Sequence, residues 1–143
     1  MVMKYEYLEN EATADLAIKA YGKTMKEAFE NSANAVCNAI CGIENINEQE
    51  IKLAKKKSQN LKMLLHDFLE EILFLQDSEN LVFKRVIVDE LDEKKFSISA
   101  IFYGETFEQK KHIPKAHIKA ITYFDMQIKN EKGGFVIKFI ADI

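Results

Sequence analysis

Hydrophobic positions recur at helical spacing in two stretches of the chain and at alternate positions in several others. In the first stretch Met25, Ala28, Phe29, Ser32, Ala33, Val36 and Ile40 fall on one helical face. Thr24 and Glu27 form a capping-box pattern at its start, and Gly42 marks its expected end. A second helix is predicted after Ser58-Gln59-Asn60, where Leu61, Leu64, Leu65, Phe68, Leu69, Ile72 and Leu73 make a stripe wide enough to cover a sheet. His66, Asp67, Glu70 and Glu71 lie beside that stripe.

Elsewhere the period changes to two. Phe96, Ile98, Ala100 and Phe102 alternate with Ser97, Ser99, Ile101 and Tyr103, after an apolar run from Val82 to Val88. The polar segment Asp89–Lys95 between them reads as a hairpin connection, without a glycine to set the turn type. Further strands are expected from about Ile118 to Lys129 and from Phe135 to Asp142, joined by a turn at Gly133-Gly134 where positive φ is available. Weaker alternation suggests strands at Ala14–Tyr21 and around Ile51 and Leu53. The order strand, helix, strand, helix, then several strands predicts an α+β fold, two helices packed on a mostly antiparallel sheet. There are no internal repeats.

The chain has 143 residues, 48% of them hydrophobic, which is enough for one core, so residues 1–143 are read as a single domain. Lys and Arg number 20 against 23 Asp and Glu, a net charge of −3. That balance offers no excess positive charge to bind nucleic acid by counterion release, so any RNA would be held by a partner. No apolar run approaches the roughly 20 residues needed to span a bilayer, and the first residues lack a signal-peptide pattern, so a cytoplasmic protein without membrane association is expected. Cys37 and Cys41 lie four apart in an apolar-periodic segment, which suits structural helix positions better than a disulfide or a zinc pair.

Little in the sequence points to catalysis. The five glycines form no phosphate-binding loop, and His66, His112 and His117 do not have metalloprotease spacing and suit surface or capping roles. Two acidic residues differ from the rest in placement. Asp15 interrupts the small, apolar stretch Ala12–Ile18, and Asp142 ends the apolar final strand beside Ile143. A charge in such surroundings needs a partner or a metal ion. The Asp142 side chain and the Ile143 α-carboxylate are hard oxygen donors of the kind Ca²⁺ or Mg²⁺ prefers, against the alternative of a hydrated, fraying end.

Tyr5-Glu6-Tyr7-Leu8-Glu9, Thr13-Ala14-Asp15, Ala20–Thr24 and Glu27–Asn31 together resemble the opening of the archease family. Leu64–Leu75, Tyr103-Gly104-Glu105, Lys119–Tyr123 and the final Asp142-Ile143 continue the resemblance in the family's order and spacing. Two positions depart from it. Ala12 stands where the family's motif often reads His-Thr-Ala-Asp, with Asn10 and Glu11 as extra residues before it, and Phe124 stands where a His commonly follows Thr-Tyr. The acidic residues and Lys119 are the polar features that match.

The resemblance implies an accessory protein, not itself an enzyme, for the RtcB-type RNA ligase that seals tRNA exon halves using GTP and a divalent metal. It implies promotion of ligase guanylylation and of multiple turnover, with tRNA reached only through the ligase. It implies one strand-helix-strand-strand module nested in another. It also implies a metal site, Ca²⁺ or another divalent ion, at Asp15, Asp142 and Ile143. A Lys119 ammonium could then contact the GTP triphosphate in the ligase's active site, the alternative being an ordinary solvated lysine. Two other functions fit the residues alone: a metal-dependent phosphohydrolase using Asp15 and Asp142 to activate water, and a general chaperone with an exposed apolar patch.

Overall fold

The structure, a computed structural model, describes residues 3–8 and 15–143. Strands β1 (Tyr5–Leu8) and β2 (Leu16–Gly22) precede helix α1 (Met25–Ile40), a short 3₁₀ turn (Ile43–Asn45), strand β3 (Glu50–Lys57) and helix α2 (Leu61–Glu79). Strands β4 (Leu81–Asp92), β5 (Ser97–Thr106), β6 (Ala120–Glu131) and β7 (Gly134–Asp142) follow.

Both helices start where the sequence signals a cap. The Thr24 side chain accepts from the Glu27 N–H at 3.1 Å, and the Asn60 side chain accepts from the Met63 N–H at 2.9 Å. α1 ends at Ile40, where Cys41 turns extended and bridges to Pro114, two residues short of Gly42. α2 ends at Asn80, which takes the left-handed conformation at φ 56°.

The strands form two antiparallel sheets rather than one. The order is β1-β2-β7-β6 in the first and β3-β5-β4 in the second. This is the nested arrangement: β3, α2, β4 and β5 make a complete strand-helix-strand-strand unit inserted between α1 and β6 of an outer unit built from β2, α1, β6 and β7. Sequence periodicity specifies each strand's faces but not which strands share a sheet, so the split was not visible in it.

The two helices form a layer touching both sheets. α1 packs on β2, β7 and β4, while α2 packs on β6 and on the three inner strands. Phe68 of α2 lies 6.4 Å from the Phe29 ring of α1 and 6.1 Å from the Phe102 ring of β5, joining both helices to the inner sheet. All three rings are fully buried, with Leu64, Leu65, Leu69 and Ile72 around them. Each such side chain contributes about 1.5–3 kcal/mol by leaving water.

Several local details differ from the sequence reading. β4 continues to Asp92, so the hairpin connection is short, with the Asp92 carboxylate accepting from Lys94 N–H and Lys95 N–H at 2.9 and 3.0 Å. Gly133 uses positive φ, 77°, in the last hairpin, while Gly134 does not. β3 is an edge strand whose Ile51 and Leu53 point away from the core, 59% and 76% exposed. The expected strand from Ala14 begins at Leu16, Ala14 lying outside the described residues. No helix among the described residues is long and apolar enough to cross a membrane.

Candidate functional site

β2 and β7 pair antiparallel with Leu16 opposite Ala141. Asp15 precedes Leu16 and Asp142 follows Ala141, so the two acidic residues occupy the next positions on neighbouring strands at one end of the outer sheet. On the other side of β7, Ala120 lies opposite Asp142, and the Lys119 N–H donates to the Asp142 carbonyl at 2.7 Å. Three strand ends therefore bring Asp15, Asp142 with Ile143, and Lys119 to one place. The apolar inward positions of β7, Ile137, Phe139 and Ala141, anchor the strand that carries Asp142 there. Asp15 and Asp142 are half-buried, Lys119 is exposed, and Thr13 of the same motif lies outside the described residues.

Lys119, read as part of a strand, lies just before β6 and is held through its backbone. Ile143 is 39% exposed. The carboxyl groups of Asp15, Asp142 and Ile143 are all hard oxygen donors, a chemistry that fits Ca²⁺ or Mg²⁺ with water completing the shell. Among the described residues no group of three or more His, Cys, Asp and Glu side chains could hold a metal ion.

A second polar cluster adjoins these strand ends and was not singled out by spacing. The Glu70 carboxylate on α2 accepts from the Ile121 N–H at 2.7 Å, and Ile121 is paired with Ala141. One helical turn earlier, the His66 ring stacks on Tyr123 with centroids 4.4 Å apart and lies 3.1 Å from the Asp67 carboxylate. Asp67 also accepts from the Ser58 hydroxyl at 2.7 Å. Burial, with the Asp67 and Glu70 charges adding to it, pushes the Tyr123 phenol upward, so it stays protonated and available as a donor. The signal for this cluster was present in His66, Asp67 and Glu70 flanking the apolar stripe, but their partner strand could not be read from spacing.

Tyr123 protrudes because β6 breaks register against β7 between Thr122 and Gln127. Phe124, at the position of the departing family His, is 78% exposed on that bulge, and Asp125 there has φ 55°. Ala12 lies outside the described residues.

His112, Glu105 and the two cysteines serve the fold. His112, read as a surface or capping residue, is buried: its Nδ1 accepts from the Glu108 N–H at 2.8 Å, which leaves Nε2 to donate to the Glu105 carboxylate at 2.9 Å. Burial raises the Glu105 carboxyl, but the Asn47 N–H, Lys111 and His112 outweigh it and bring it down to about 2. Cys37 and Cys41 are free and buried, and burial pushes the Cys37 thiol up to about 12, far from a reactive thiolate.

A family model described as the archease protein family (MTH1598/TM1083) matches residues 5–143. A protein archease from Sulfurisphaera tokodaii is 34% identical over 142 residues, covering 99% of this chain and 100% of that one. One from Pyrococcus abyssi is 37% identical over 142 residues, 98% of this chain and 99% of its own. The solution structure of protein 1598 of Methanobacterium thermoautotrophicum superposes with a TM-score of 0.81 at 26% identity, covering 98% of this chain and 99% of that one. A Thermotoga maritima archease crystal structure shares the fold with a TM-score of 0.65 at 18% identity, covering 95% and 96%. Matched along nearly its whole length in sequence and in fold, the chain belongs to the archease family, and that membership supports an accessory role.

Proposed function

We propose that the protein is a cytoplasmic accessory factor of an RtcB-type RNA ligase, promoting guanylylation of the ligase with GTP and its multiple turnover in tRNA splicing. The observation that carries this reading is the convergence of Asp15, Asp142 with Ile143, and Lys119 at one end of the outer sheet, in a chain of the archease family. Asp15, Asp142 and the Ile143 carboxyl are the groups that would hold a Ca²⁺ or another divalent ion. Such an ion, when bound, neutralises negative charge on phosphate oxygens.

The chain's own contribution is positional. β2, β7 and the start of β6 fix the backbones that carry the two carboxylates and the Lys119 ammonium, so only side chains are left to order when a phosphate arrives. Lys119 is exposed, as a residue reaching into a partner's active site must be. The net charge of −3 favours contact with the ligase protein over independent contact with tRNA.

The test is multiple-turnover ligation of RNA halves with limiting ligase, GTP and divalent metal, with and without this protein. Stimulation that depends on the ligase supports the reading. Release of phosphate from nucleotides by the protein alone, without any effect on the ligase, would replace it with the phosphohydrolase. The isolated protein is also expected to show little tRNA affinity at physiological salt. Tight, steeply salt-dependent binding by it would contradict a role exercised through the ligase.

A further inference from the structure

The inner sheet has one face on the helices and one face open. On the open face the pairing sets residues from β3, β5 and β4 in rows: Leu53–Ile101–Ile87 in one, and Lys55–Ser99–Glu90 in the next. The bulge after Val88 makes Asp89 the extra residue and brings Glu90 into line with Ser99. Leu53 is 76% exposed and Ile51, at the head of the same edge strand, 59%. Lys55 and Glu90 are both exposed, and neither forms an ion pair or hydrogen bond with another described residue.

This face is complementary to itself. A two-fold axis parallel to the strands carries β3 of one copy over β4 of the other and leaves β5 over β5, row matching row. Leu53 then meets Ile87 of the second copy and Ile101 meets its own equivalent. Lys55 meets Glu90, and the same contact repeats on the other side of the axis. An axis across the strands would instead bring β3 over β3, opposing lysine-bearing and apolar rows, so the charges select the first geometry.

We propose that this open face of the inner sheet is a homodimer interface, two copies packing β3-β5-β4 face to face about an axis parallel to the strands. Three strands about 4.8 Å apart and eight residues long give a footprint of roughly 14 by 26 Å, about 360 Å² per copy, below the roughly 800 Å² per partner of a standard interface and of the size of a weak, transient contact. Association is therefore weak and concentration-dependent. The proposed metal site lies at the end of the outer sheet, so the dimer rests on different residues and leaves both copies of that site outside the interface.

The geometry gives a charge-exchange test in sedimentation velocity. The native protein is expected to pass from monomer to dimer as its concentration rises through the micromolar range. Lys55→Glu and Glu90→Lys each place like charges opposite one another twice per dimer, and each alone is expected to dimerise at least tenfold more weakly. Mixed together, the two variants restore opposite charges at both contacts, and a heterodimer is expected to return. Leu53→Lys, a change at an exposed position, keeps the fold and is expected to give a monomer. A native protein monomeric throughout that range overturns the proposal. So do single variants that self-associate like the native protein, or a mixture that fails to recover while circular dichroism shows both variants folded.

Discussion

The Glu70 carboxylate on α2 accepts a 2.7 Å hydrogen bond from the Ile121 N–H on β6. β6 is an edge strand of the outer sheet, and an edge amide is otherwise open to water or to another chain. The contact ties the polar side of α2 to the strand beside Lys119. Glu70→Ala is expected to leave that amide without its protein partner and to lower stability by about 1–2 kcal/mol, while Glu70→Gln keeps an acceptor and costs less. Amide exchange at Ile121 should accelerate in the alanine variant. Unchanged exchange would mean that another group protects the amide.

Phe68 bridges both helices and the inner sheet, so its loss removes contacts from three elements at once. Phe68→Ala is expected to cost about 3–5 kcal/mol, and Leu69→Ala about 2–5 kcal/mol. Chemical denaturation checks both. A midpoint within error of the native protein's for either would contradict the packing described.

Helices were legible because their signals are local: Thr24 and Asn60 cap within three residues, and the stripe from Leu64 to Leu73 needs no knowledge of what covers it. β1 is not legible in the sequence because four residues, Tyr5–Leu8, are too few for alternation to stand out, and the split into two sheets depends on long-range pairing. At the candidate site the same limit applied. Asp15 and Asp142 could be picked out as acidic residues in apolar surroundings, but their adjacency comes from the Leu16–Ala141 pairing across almost the full chain. Glu70 and the His66–Tyr123 stack were missed because the bulge at residues 123–126 leaves no mark on the two-residue period that spacing could detect.

Gly104 faces the Val82 carbonyl so closely that an added Cβ would stand 2.0 Å from that oxygen and 2.8 Å from the Phe83 Cα. Both obstacles are backbone in the paired strand β4, so neither can rotate aside. Gly104→Ala is expected to force β4 and β5 apart and to cost about 3 kcal/mol or more. Thermal unfolding followed by circular dichroism measures it. A variant melting at the native temperature would show that the strands separate there at little cost.

Glu105 sets an acid limit on stability. Its folded carboxyl lies at about 2, below its ordinary value of 4.5, so the folded state binds this proton less readily than the unfolded chain does. Its stabilisation is fully present above about pH 4.5 and is lost as pH falls from there toward 2. Glu105→Gln is expected to be less stable at neutral pH and to lose less on acidification across that window. Unfolding free energies measured from pH 7 to pH 2 for both proteins provide the comparison, and parallel curves would assign the acid sensitivity to other carboxylates.

The strongest demand on the proposed metal site falls on Ile143, because the proposal takes its third donor from that residue's carboxyl group and an isoleucine side chain offers no substitute. Adding residues after Ile143 converts that carboxyl to an amide, removes one negative charge and leaves the apolar anchors of β7 in place. Asp15→Asn and Asp142→Asn each remove one charge while keeping side-chain size. All three changes are expected to weaken Ca²⁺ binding by at least about tenfold and to abolish the rise in melting temperature that Ca²⁺ gives the native protein. Asp77→Asn, at an exposed position near the end of α2, is expected to change neither. Titration calorimetry with Ca²⁺ and Mn²⁺, thermal unfolding with and without metal, and ligase stimulation should be measured on the same preparations. If the carboxyl groups only terminate the sheet in water, the folded variants bind and stimulate as the native protein does, and the ligase must be met through another surface. If the ion serves solely to fasten β7 to β2, the three variants lose the metal-dependent rise in melting temperature but keep full stimulation. Loss of both together is the outcome that assigns the ion and the accessory role to the same three strand ends.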